Sequence, residues 1–203
     1  MTRGGEVDES KRATLRRFAA LGAASPLVSI ASASETDSDA RDAIAGYLTT
    51  TPGAHFSKIR DDLQLGTGET QHHLRELEQQ GAVENRKDGD YRRYFPAGRF
   101  DEFEQVALGY LRRETPRRMV IALLEDPTAS GADLADAADV SQATVSKYLG
   151  QLESAGLLSR ETGHELENAE TLLLLLVRYA DSFGQDAARL ADSAPELLEY
   201  APE

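Results

Sequence analysis

Two groups of side chains in this sequence have the types and spacing to do chemistry, and that chemistry is the holding of a polyanion. Arg86, Lys87, Arg92 and Arg93 flank Asp88-Gly89, with Tyr91 and Tyr94 beside them. Just upstream, Thr67, Glu69, Gln71, His72 and Arg75 fall on one side of a segment whose Thr70, Leu74 and Leu77 fall on the other. Arg and Lys neutralise phosphates, and Gln and Arg offer paired hydrogen bonds that match base edges. A solvated helix face and a hairpin kept soluble by arginine use the same residue types. Glu84, Asp88 and Asp90 also offset part of the hairpin's charge.

Other chemistries lack their parts. The chain has no Cys, which removes disulfides, thiolate metal sites and cysteine nucleophiles. Its four His, at 55, 72, 73 and 164, include no pair at the i, i+4 spacing of a helical zinc site. His72 and His73 are adjacent and so point to different helix faces, and no metal site is expected. No phosphate loop, nucleophile elbow or convincing carboxylate pair occurs, so neither an enzyme nor a cofactor is expected.

The formal charge of −13 opposes nucleic-acid binding when taken as a sum. Its distribution says otherwise. Residues 161–203 carry −8 of it, while basic residues upstream cluster at 11–17, 86–93 and 112–118. Only 4 of the 22 basic residues are Lys, acids are abundant and Trp is absent, a composition suited to a salt-rich (halophilic) cytoplasm. Acidity is then a solvation trait.

Positioning these groups requires defined elements, and an internal repeat supplies them. Residues 43–83 align without gaps on 118–158, matching Leu48 with Leu123, Pro52 with Pro127, Leu74 with Leu149, Leu77 with Leu152 and Gly81 with Gly156. Each copy reads as three helices and a hairpin. In the first, Ile44, Tyr47 and Leu48 face inward from one helix, and Phe56, Ile59 and Leu63 from a shorter one. Gly66 breaks that helix, Thr67 is a plausible N-cap for the third, and Gly81 fits a C′ position with positive φ. Asp88-Gly89 then reads as a two-residue hairpin turn. In the second copy, inward Val145, Leu149 and Leu152 leave Gln142, Thr144, Ser146 and Lys147 outside.

The segments "SQATVSKYLGQLESAGLLSR" and "TQHHLRELEQQGAVENRKDGDYRRYFP" resemble the recognition helix and wing of MarR/ArsR-like winged helix-turn-helix regulators, above all the tandem-domain regulators of halophilic archaea. The resemblance covers about residues 39–166. It implies a mainly α (α+β) fold of two tandem winged-helix domains and a sequence-specific, double-stranded DNA-binding transcription regulator. In such domains the third helix enters the major groove and the hairpin follows the backbone. The DNA-contacting residues expected are Thr67, Glu69, Gln71, His72, Arg75, Arg86, Lys87, Tyr91, Arg92 and Arg93 in the first domain. Gln142, Thr144, Ser146 and Lys147 are expected in the second. The second hairpin offers only Arg160, so the second domain reads sequence through Lys147 and its neighbours or serves in assembly.

The expected layout is domain 1 over 39–98, a connecting helix over 99–114, domain 2 over 115–167, and a C-terminal helix with an acidic, partly mobile tail over 168–203. Arg112, Arg113, Arg117 and Arg118 flank Thr115-Pro116, read as N-cap and N1, and either contact a backbone or form a solvated junction. Leu172 to Val177 are apolar on every side, which predicts burial all round. Leu172, Leu173, Leu175 and Leu176 are accordingly expected in a homodimer interface, with packing inside the chain as the other reading. Residues 1–38 read as an amphipathic helix and flexible linker, or as a twin-arginine signal built on Arg16-Arg17 with a site at Ala31-Ser32-Ala33. The first reading gives a cytoplasmic protein with no membrane partner; the second gives an exported or tethered one. A winged-helix module that docks protein partners is the alternative to DNA binding.

Overall fold

Ile44, Tyr47 and Leu48 recur at helical spacing, and in the computed structural model they line the buried face of a helix at the centre of the first of two units. Residues 13–20, 35–161 and 163–199 are described. One unit ends at Phe100 and the other begins at Asp101. Lys11, Arg12, most of the expected linker, Ala31-Ser32-Ala33 and the last residues of the tail lie outside the described residues.

The first unit runs α1 (13–20), α2 (Glu35–Thr50), β1 (Ala54–His55), α3 (Phe56–Asp62), α4 (Thr67–Gln79), β2 (Val83–Asp88) and β3 (Tyr91–Pro96). Helix α2 starts inside the stretch read as linker. Ile44, Leu48, Ile59, Leu63, Leu74 and Leu77 form the core, each at most 2% exposed. Burial of such side chains stabilises by about 1.5–3 kcal/mol apiece. Leu15 of α1 joins them, and the Phe18 ring meets Tyr47 edge-on at 5.3 Å. The Tyr47 hydroxyl donates to Asp62 Oδ2 at 2.7 Å, tying α2 to the end of α3.

Helix α4 begins one residue earlier than its sequence suggests. Gly66 is the N-cap and Thr67 the first helical residue, because the Glu69 carboxylate reaches back to accept the Gly66 N–H at 3.0 Å. Gly81 follows the helix at φ +69°, with Ala82 N–H bonded to Leu77 O at 2.9 Å and Gly81 N–H to Glu78 O at 3.1 Å. That is a Schellman ending, which favours a residue without a Cβ. Gly156 repeats it at φ +69°.

The strands pair antiparallel in the order β1-β3-β2. Asp88 pairs with Tyr91, so the turn is Gly89-Asp90 and not Asp88-Gly89. One residue of shift takes Asp88 out of the turn and gives its carboxylate to the strand face.

The second unit contains α5 (Glu102–Leu111), α6 (Glu114–Glu125), α7 (Gly131–Ala138), α8 (Gln142–Ser154), β4 (Leu158–Ser159), β5 (Glu165–Leu166), α9 (Ala169–Arg178), α10 (Ala180–Phe183) and α11 (Gln185–Glu199). Helix α6 starts with Arg113 as N-cap, which moves Thr115-Pro116 into the first turn. Proline is tolerated there because first-turn N–H groups have no helical partner. Asp101 and Glu104 close a capping box on α5, as Ser130 and Asp133 do on α7.

Two expectations are corrected at the C-terminal end. Leu172, Leu173, Leu175 and Leu176 are at most 9% exposed within the chain itself, because α9 packs against α5 and α11. They are core side chains of this unit, as the reading of packing inside the chain expected; Leu174 is the leucine on that helix that points outward, at 65% exposure. The stretch read as tail is helical from Gln185, with Ala187, Leu190 and Ala194 buried at successive helical spacings. Among the described residues, no helix is long and apolar enough to cross a membrane.

Candidate nucleic-acid interface

Helix α4 buries Thr70, His73, Leu74 and Leu77 and turns Thr67, Gln71, His72 and Arg75 outward. The opposite face is therefore set by which residues the core takes. Glu69 differs from the other four: it is half-buried and its carboxylate caps Gly66, so it acts on the helix end. Its negative charge there also complements the positive end of the helix.

The wing sorts its cations by strand alternation. In the register Lys87 lies opposite Arg92, and Arg86 opposite Arg93, so the two pairs belong to opposite faces of the sheet. Tyr94 and Asn85 share the face of Lys87 and Arg92, and the Asn85 amide donates to Glu78 of α4. Lys87 and Arg92 consequently stand on the side of α4. Tyr94's phenol is pushed above its ordinary value by burial and by nearby Glu78, with Arg92 opposing, and so remains a donor at neutral pH.

Arg93 departs from the expectation that all four cations are presented outward. It is 4% exposed, pairs with Asp88, and donates from Nη1 to Gly53 O at 2.9 Å. Like charges directly opposite each other destabilise a strand pair, and the Asp88 carboxylate compensates for Arg86 and Arg93 sharing a register position. Arg93 is a brace between β3 and the segment before β1. Tyr91, 55% exposed, lies against His55 with ring centroids 5.2 Å apart on that same far face.

Between α4 and β3 lies a cleft of about 360 Å³. Phe56 and Leu74 give it an apolar lining, while Gln71, Arg75, Arg92 and Tyr94 bring polar groups. The helix face and Arg92 of the wing therefore border one concave surface.

In the second unit α8 presents Gln142, Ser146 and Lys147 outward. Thr144 is half-buried and tied to the N-cap, its N–H bonded to Ser141 Oγ at 3.3 Å and its hydroxyl 3.0 Å from the same atom. The second wing is two residues on each strand, and its Arg160 lies 3.5 Å from Glu153. Its charge is small and already countered.

The arginines at 112–118 are held within the second unit. Arg117 is 7% exposed, pairs with Asp186 at 2.9 Å and donates to Leu111 O at 3.1 Å. Arg112 donates to Ser182 O at 2.9 Å and stacks over the Phe183 ring. Arg113 lies over Tyr110, and Arg118 pairs with Glu114. The expectation was a backbone contact or a solvated junction; in the structure Arg112 and Arg117 fasten α5 and α6 to α10 and α11, while Arg113 and Arg118 make local contacts.

Residues 38–108 match a domain family described as an N-terminal HTH domain, and residues 112–159 match one described as winged helix-turn-helix DNA-binding. An uncharacterized HTH-type transcriptional regulator of Methanocaldococcus jannaschii is 29% identical over 129 residues, which is 63% of this chain and 32% of that protein. The HTH-type transcriptional regulator LrpA1 of Halobacterium salinarum is 52% identical over 44 residues, 22% of this chain and 31% of that protein. The chain thus spans about a third of the length of these curated relatives. No solved structure matches significantly. The chain carries two helix-turn-helix domains in tandem.

Proposed function

We propose that this protein is a sequence-specific, double-stranded DNA-binding transcription regulator. The observation that carries the reading is the convergence of Thr67, Gln71 and Arg75 of α4 with Arg92 of the wing on one concave surface, with Lys87 beside Arg92 on the same sheet face. Helix α4 lies in the major groove, where Gln71 and Arg75 meet base edges and Thr67 and His72 meet bases or phosphates. Lys87 and Arg92 grip the flanking backbone, with Arg86 and Tyr91 at the hairpin's other face. Nothing in this reading needs a catalytic step or a cofactor.

The two domains divide the work. The first supplies most phosphate contacts; the second reads bases through Gln142, Ser146 and Lys147, its wing adding little charge. In a salt-rich cytoplasm phosphate contacts alone give little affinity, so base contacts and shape carry the binding, and the acidic remainder repels random DNA. A two-copy assembly reading two half-sites would pair through surface other than the four buried leucines.

The test is selection of bound fragments from the source genome, followed by affinity measurement on the enriched sequence and on a scrambled one across a range of KCl. A preference of at least about 10³-fold supports the reading. Equal binding to both, or none, removes it and leaves protein docking.

A further inference from the structure

Helix α4 holds a group of three side chains of which the DNA-binding reading uses only His72. His73 is 1% exposed, on a helix face otherwise made of Thr70, Leu74 and Leu77. Its Nδ1 lies 3.5 Å from Glu76 Oε2, and His72 Nε2 lies 3.6 Å from the same oxygen. The two imidazole centroids are 5.2 Å apart, and one ligand atom from each of the three residues falls within 4.8 Å of the others. Adjacent histidines diverge on a helix, but Glu76 sits at i+4 from one and i+3 from the other, the two spacings at which helical side chains meet. Its carboxylate draws both rings toward one point.

We propose that His72 Nε2, His73 Nδ1 and the Glu76 carboxylate bind one divalent first-row transition-metal ion. An ion of the zinc class lies about 2.0–2.2 Å from such atoms, so tetrahedral ligands stand about 3.3–3.5 Å apart. The two nitrogen–oxygen edges are already within a few tenths of an ångström of that span. The ligand atoms of the two histidines lie within 4.8 Å of each other, and the His72 side chain, 57% exposed, is placed to swing and close that edge. His73 is held by the core and sets where the ion sits. Two imidazoles and one carboxylate suit zinc, nickel, cobalt or copper and not magnesium or calcium. Three protein ligands leave a coordination position for water.

The repeat supplies an internal comparison. The residues aligned with His72, His73 and Glu76 are Lys147, Tyr148 and Gln151, which offer no such ligand set. The site belongs to the first domain alone.

Its consequence rests on the reading of α4 as the DNA-facing helix. The ion adds two positive charges at the edge of the face that bears Arg75, opposite a polyanion. Metal therefore tightens DNA binding, and by reciprocity DNA tightens metal binding.

The test uses the untagged full-length chain, titrated with cobalt(II) followed by its visible d–d absorption and with zinc(II) by calorimetry, in chloride buffer. One ion per chain is expected, with affinity falling about 10- to 100-fold or more in His72→Gln and in Glu76→Gln. Because His73 is buried, His73→Gln is read only alongside its circular dichroism. Uptake that neither His72→Gln nor Glu76→Gln weakens is adventitious binding to surface carboxylates and overturns the site. DNA affinity is then measured with and without zinc in the wild type and Glu76→Gln. A zinc-dependent gain of about 5-fold or more, absent in Glu76→Gln, is expected of a typical coupling. Stoichiometric metal with no gain overturns the coupling; stoichiometric metal with no DNA binding under any condition overturns the DNA reading and not the site.

Discussion

Arg93 and Asp88 form an ion pair across the first wing, and Arg93 also donates to the carbonyl of Gly53, forty residues earlier in the chain. Its neighbour Arg92 points to the other face, toward α4 and the cleft. Two consecutive arginines therefore have different roles.

Their substitution separates stability from binding. Arg93→Ala removes the buried cation that pairs with the Asp88 carboxylate, a change expected to cost about 3 kcal/mol of first-unit stability in urea unfolding. Arg92→Ala is expected to move stability by no more than about 0.5 kcal/mol while weakening DNA binding. Equal destabilisation by both would show that the wing does not sort its cations by face.

Counterion release measures the phosphate grip. Lys87→Ala combined with Arg92→Ala should lower the slope of log affinity against log salt by about 2, near 0.9 for each phosphate that is no longer neutralised. Arg160→Ala, in the short second wing, should leave the slope within error.

Base reading shows in discrimination. Gln71→Ala and Arg75→Ala should each cost about 1–3 kcal/mol on the preferred sequence and much less on scrambled DNA. Lys147→Ala in the second domain tests the proposed division: a uniform loss on both DNAs would make it a phosphate contact.

The C-terminal leucines answer to stability. Leu176→Ala should destabilise the second unit by about 2–5 kcal/mol, read from its thermal or urea transition, as expected of a fully buried leucine. Leu174→Glu should leave the unit folded; a change in sedimentation coefficient would place the outer face of α9 in an assembly.

Acid should weaken the first unit through His55. Its ring caps α3 by accepting the Lys58 N–H at 3.3 Å, which requires Nδ1 to be unprotonated. Desolvation holds its pKa below the ordinary 6.5, with Arg93 and Lys58 adding to the effect and Asp61 and Asp62 opposing it. With the folded value depressed, the stabilisation is present above pH 6.5 and is lost as pH falls through the folded pKa. His55→Asn keeps a cap without the titration, so the difference in urea midpoint between variant and wild type should change with pH only below neutrality.

Much of this architecture was legible before any coordinates. The offset of 75 residues between copies, the inward Leu74 and Leu77 against Leu149 and Leu152, and Gly81 with Gly156 all depend on spacing within one element, which a sequence displays directly. The outward face of α4 followed from the same periodicity. The helix over Gln185–Glu199 was legible too, in Ala187, Leu190 and Ala194, but the acidic composition around them masked its apolar stripe. The His72–His73–Glu76 group escaped because a search for paired histidines passes over a carboxylate that bridges them.

What the sequence determined by itself was the duplicated helix-turn-helix unit and the polarity of its helices, because both are set by residues a few positions apart. Tertiary structure decided which cations remain at the surface and which apolar side chains are covered. Arg93 is held by Gly53, Arg117 by Asp186 sixty-nine residues away, and the α9 leucines by α5 and α11. Whether a charge or a leucine is solvated depends on what the rest of the chain lays against it, and local spacing carries no record of that.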